Sequence, residues 1–87
     1  MIHSGEQALQ VARAILEKNE IKHISVDAPR EELNFQFLDS KLVTDAWVIC
    51  YTYMVFQDED AFIFLDDRND LKLIYVLTKH DYVMYDQ

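Results

Sequence analysis

The 87-residue chain is long enough for one domain and too short for two. Hydrophobic residues make up 51% of it, which excludes a disordered chain, and its one Gly and one Pro exclude collagen-like, low-complexity and Gly-rich phosphate-loop readings. A net charge of -8, from 16 acidic and 8 basic residues, argues against direct binding of nucleic acid or an anionic membrane surface.

Ser4 stands three residues before Gln7, the capping-box spacing in which each side chain satisfies an orphan backbone N–H. Ala8, Leu9, Val11, Ala12, Ile15 and Leu16 then form an apolar stripe at helical spacing, with Glu6, Gln10, Arg13 and Glu17 opposite. This pattern predicts a helix over 5–18. Lys18 suits its negative end, and Asn19, which tolerates a left-handed backbone, is the expected stop.

Residues 22–26 alternate and predict a strand, broken by Asp27-Ala28-Pro29-Arg30. Leu33, Phe35 and Phe37 alternate with polar residues and predict another, closed by a turn at Asp39-Ser40-Lys41. Residues 46–56 (AWVICYTYMVF) are dense in β-branched and aromatic side chains and predict a long strand, followed by a polar connection at 57–60. A strand over 61–65, a loop over 66–70 and a return strand over 71–77 complete a hairpin. Residues 82–85 can add a short last strand. Short consecutive connections favour antiparallel pairing. The expectation is a single α+β domain over 1–87, one N-terminal helix packed on a curved antiparallel sheet of four to six strands.

Alternation fails where it is most informative. A sheet with one wet face reads apolar on one side only, yet the strands over 46–56, 61–65 and 71–77 are apolar on both. A 14-residue helix is about 21 Å long and covers part of one face. Either the 27–42 segment folds over the other face, or another chain does, with Trp47, Tyr51 and Tyr53 as the expected homodimer or partner surface.

Charge is also unevenly placed. Residues 1–43 carry 7 acidic and 5 basic groups, whereas residues 44–87 carry 9 and 3. Six acids fall within 58–70. The structural reading is a solubilising surface. The sharper reading is a surface that steers a basic protein partner, with Asp58, Glu59, Asp60, Asp66, Asp67 and Asp70 as its charge and Tyr82 and Tyr85 as anchors. The same display suits an inhibitor of a basic nuclease or a mimic of DNA.

Catalysis and metal binding find little support. His3, His23 and His80 are far apart and lack metal-ligand spacing. His3 is expected in a frayed terminus, and Cys50 sits mid-strand among apolar neighbours, where a thiol is inert packing. Neither acidic run meets the calcium-loop pattern: position 6 is Ile63 or Lys72 rather than Gly. No cofactor is expected and no enzyme activity. With one Cys and no visible signal peptide, the expected setting is cytoplasmic.

The N-terminal helix with Ala8, Ala12 and Leu16, and the runs W-V-I-C-Y (47–51), A-F-I-F-L-D-D (61–67) and L-I-Y-V-L-T (73–78), together resemble the immunity protein 35 family of bacterial toxin–immunity systems. That resemblance implies a helix on a small antiparallel sheet and neutralisation of a cognate toxin by binding.

Overall fold

The computed structural model describes residues 1–36, 41 and 43–87. The expected strand position Phe37 and turn residues Asp39 and Ser40 lie outside them. In chain order there are one helix, α1 (Gly5–Lys18), and strands β1 (Ser25–Val26), β2 (Arg30–Gln36), β3 (Val43–Met54), β4 (Asp58–Asp66), β5 (Lys72–Leu77) and β6 (Tyr82–Val83). A single 3-10 turn (Asp67–Asn69) links β4 to β5.

The helix begins as its capping residues dictate. The Gln7 N–H donates to Ser4 Oγ at 3.1 Å and the Ser4 N–H donates to Gln7 Oε1 at 2.8 Å. It ends at Lys18 with Asn19 as its cap, as expected, and only the left-handed residue comes one position later. Asn19 keeps φ at -93°, and Glu20 takes the left-handed conformation at φ 54°. Asn19 is instead a clamp: its side-chain amide donates to the Asp86 carbonyl at 2.8 Å and accepts the Asp86 N–H at 3.1 Å.

The sheet is antiparallel throughout and open at both edges. β3 is its spine, pairing with β4 along one side and with β1 and β2, laid end to end, along the other. Pro29 falls in the break between those two edge strands, where the missing N–H costs no ladder bond. A register shift in β2 lies between Glu32 and Phe35, where Asn34 stands at φ 55° and its N–H donates to Asp45 Oδ1 at 3.1 Å. β2 is thus an edge strand of the sheet and not a cover over its back, correcting that expectation for residues 30–36. β3 starts earlier than predicted and ends at Met54, so Val55, Phe56 and Gln57 form the hairpin turn. Asp58, Glu59 and Asp60, expected in a connection, lie in β4 opposite Met54, Tyr53 and Thr52.

The core lies between α1 and one face of the sheet. Ala8, Ala12, Ile15 and Leu16 meet Trp47, Ile49 and Tyr51 of β3, Ala61, Ile63 and Leu65 of β4, and Leu73 and Val76 of β5. Small helix residues leave room for large rings from the sheet. Gly5 lies against the Trp47 ring, where an added Cβ would stand 3.4 Å from it. The expected second-face set is therefore corrected: Trp47 is 7% and Tyr51 2% exposed, and Tyr53 packs against the same core under the helix. The other face carries the alternate residues, among them the buried Val48 and the half-buried Phe62 and Phe64. A bulge between Phe64 and Leu65 shifts the β5 register, so Leu73 and Val76 face the helix while Tyr75 and Leu77 face away.

Candidate functional site

β4 separates the predicted acidic set into two ends. At roughly 3.3 Å per residue, Asp58 and Asp66 stand about 26 Å apart along the strand. The carboxylates at 58–60 and those at 66–70 therefore form two surfaces.

The 66–70 end is largely consumed by the fold. Asp66 accepts Thr44 Oγ1–H at 2.6 Å and the Arg68 N–H at 3.1 Å, capping the 3-10 turn. Asp67 is 1% exposed. Its carboxylate accepts the Ile2 N–H at 2.6 Å and the His3 N–H at 2.9 Å, with His3 Nδ1 at 3.2 Å. Burial alone would raise its pKa, but the Ile2 and His3 donors outweigh burial and hold it below the ordinary carboxylate value. Asp67 is thus corrected from a partner-binding residue to an internal anchor, and His3 from a frayed residue to its ligand. Asp70 is exposed and lies 3.4 Å from His3 Nε2. Nothing in the sequence marks Asp67 as the buried one, because its donors come from a segment more than sixty residues away.

The hairpin end is different. Glu59 points to the helix side, where Tyr53 donates its hydroxyl to it at 2.9 Å and His80 Nε2 stands at 3.3 Å. Burial and that acceptor together raise the Tyr53 phenol pKa. Asp58 and Asp60 are exposed on the opposite side. Asp60 accepts Thr52 Oγ1–H at 2.9 Å, and among the described residues no Lys, Arg or His pairs with either carboxylate.

Directly beyond them is a feature that sequence reasoning missed. Phe56 is 100% exposed at the turn, with Met54 and Val55 exposed beside it. Ile24 joins this apolar end through its N–H, which donates to the Thr52 carbonyl at 2.7 Å. A shallow hollow of about 220 Å³ lies between Lys22, His23, Ile24 and Met54. The signal was available: Phe56 closes an apolar run immediately before four polar residues, where no cross-strand neighbour can shelter it.

The two tyrosines separate as well. Tyr82 is 45% exposed on the open face, edge-on to Tyr75 at 5.0 Å. Tyr85 turns inward and packs, partly buried, against the core that holds Tyr51. Burial, reinforced by the neighbouring Tyr85 hydroxyl, holds the Tyr51 phenol pKa far above its ordinary value. Tyr85 is thus corrected from a surface anchor to a core residue.

Burial pushes the Cys50 thiol pKa up, away from the reactive thiolate. Hollows of about 410 and 470 Å³ lie along Lys72–Tyr75 and between the end of α1 and residues 21–23, not between helix and sheet. Among the described residues no group of three His, Cys, Asp or Glu side chains could hold a metal, and no helix is long and apolar enough to cross a membrane. Comparison with family models, characterised proteins and solved structures finds no match to this chain.

Proposed function

We propose that this chain is a small acidic binding protein of the immunity type, acting in the cytoplasm without catalysis. It neutralises a basic toxin or nuclease by presenting the β3–β4 hairpin end to it. The observation that carries this reading is the wholly exposed Phe56 set beside Asp58 and Asp60, two carboxylates with no cationic partner among the described residues. A free aromatic ring at a turn is an anchor for a pocket on a partner, and flanking charge supplies orientation and encounter rate. Leaving a Phe wholly in water forgoes roughly 1.5–3 kcal/mol that burial would supply, and binding recovers it.

The polarity of the molecule supports a basic partner. Most of the -8 charge lies in residues 44–87, and Asp58 and Asp60 at the hairpin end are among its carboxylates without a cationic partner in the described residues. A field of this kind raises association rates by roughly 10–1000-fold at low salt.

The test is co-expression with the product of the gene adjacent to its own. Growth arrest by that product is expected, with relief by this chain and loss of relief on Phe56→Asp with Asp58→Lys. A product that is harmless, or relief that survives both substitutions, overturns the proposal.

A further inference from the structure

The sulfur groups of the chain are one thiol and three thioethers. A thiol reacts with a peroxide as its thiolate, and burial holds the half-buried Cys50 away from that form. A thioether has no proton to lose and needs only access of the oxidant to a sulfur lone pair. Met54 and Met84 are equally accessible at 64% exposure, so placement and not access separates them. Met84 borders the hollow along Lys72–Tyr75. Met54 is the last residue of β3, at the centre of the hairpin end. On one side it is in register with Asp58 of β4, and on the other it lines the shallow hollow with Lys22, His23 and Ile24. Val55 and the wholly exposed Phe56 follow it directly. A partner that takes up the Phe56 ring and meets Asp58 therefore covers the Met54 thioether.

We propose that Met54 is a reversible oxidation site through which a hydroperoxide weakens partner binding, a regulation that rests on the hairpin reading. A lone pair of the Met54 sulfur attacks the terminal peroxide oxygen. The S–O bond forms as the O–O bond breaks, so sulfur is oxidised and the peroxide reduced by one electron pair. The hydroxyl proton passes to the leaving oxygen, which departs as water, or as an alcohol from an organic hydroperoxide. The product is a sulfoxide, a polar hydrogen-bond acceptor where an apolar group stood, and sulfoxide reductases return it to the thioether.

The added oxygen acts on the bound chain and not on the free one. Met54 lies outside the core under α1, so in the free chain the sulfoxide stands in water and costs the fold nothing. In the complex it leaves water beside Asp58, against a partner surface shaped for an apolar group. A polar group buried without a hydrogen-bond partner is unfavourable, so the oxidised chain binds more weakly. The partner in turn shields the sulfur, so binding and oxidation oppose each other in both directions. Oxidation of Met84, away from the hairpin end, changes neither.

The test is treatment of the purified chain with hydrogen peroxide, mass mapping of each Met, and binding to the adjacent gene's product. Met54 and Met84 should oxidise at similar rates, with the urea midpoint unchanged. Affinity should fall about tenfold and recover after treatment with methionine sulfoxide reductase. Met54→Leu should keep its own untreated affinity through the same treatment, whereas Met84→Leu and Cys50→Ala should lose affinity as the wild type does. Bound product should slow the oxidation of Met54 and leave that of Met84 alone. Complete oxidation of Met54 without loss of affinity overturns the proposal, as does an equal loss in the Met54→Leu variant. Untreated chain that does not bind the product, or binds it equally well with Phe56→Asp, marks failure of the hairpin reading instead, and the proposal falls with it.

Discussion

The two ends of β4 carry similar side chains and do opposite things. At the 66–70 end, Asp66 accepts from a threonine hydroxyl and the Arg68 N–H, and Asp67 accepts from the Ile2 and His3 N–H groups and holds the chain's N-terminal segment to the sheet. At the hairpin end, Asp58 and Asp60 face solvent beside an unsheltered Phe. The difference shows that an acidic run has no meaning until its donors are known. A carboxylate that gathers buried donors belongs to the fold, and one left without a cation is free to meet a partner.

The largest effect that could break this comparison is on stability. Asp67→Ala leaves the Ile2 and His3 N–H groups without their acceptor and should cost about 3 kcal/mol in urea unfolding. Asp58→Ala should change stability by less than about 0.5 kcal/mol. Equal costs at the two ends would erase the distinction.

A pH titration sharpens it. The folded pKa of Asp67 lies below its unfolded value, so its contribution is complete above the ordinary carboxylate value of about 3.9 and is lost as pH falls through the folded value. Asp45 is lowered too, first by the Asn34 N–H and then by Arg68, and it titrates in the same window. Stability should therefore fall below about pH 4, and the Asp67→Asn variant should lose less with falling pH than the wild type, without becoming flat. Identical slopes would remove Asp67 from the account.

A smaller effect, away from β4, calibrates these measurements. Glu20 pays for a left-handed backbone at φ 54°, and Glu20→Gly should stabilise the chain by about 1 kcal/mol. No gain would mean that the Glu20 side chain contributes as much as the strain costs.

Much of the fold was legible in the sequence, and the failures share a cause. The Ser4–Gln7 box and the helix stripe are local signals, and the helix bounds followed from them. Which sheet face the helix covers was not legible, because β3 is apolar on both sides and alternation says only that two faces exist. Trp47 and Tyr51 were expected on the face that the helix leaves uncovered. They lie inside because Gly5, Ala8 and Ala12 make space there, a matching of volumes across elements that no single strand encodes. The bulge between Phe64 and Leu65 moved Tyr75 to the open face without any local mark such as a Gly. Asp58 and Asp60 were named as binding residues and stand exposed, but Phe56 was missed because the strand was extended two residues too far.

The central claim is that the hairpin end, not the 66–70 end, meets the partner. The direct measurement is the association rate of the adjacent gene's product with three forms of this chain at low salt: wild type, Asp58→Asn with Asp60→Asn, and Asp70→Asn. Both variants remove only exposed carboxylates. Slowing of about tenfold for the hairpin pair and less than about twofold for Asp70→Asn is predicted. Equal slowing at both ends, or slowing confined to Asp70→Asn, would contradict it.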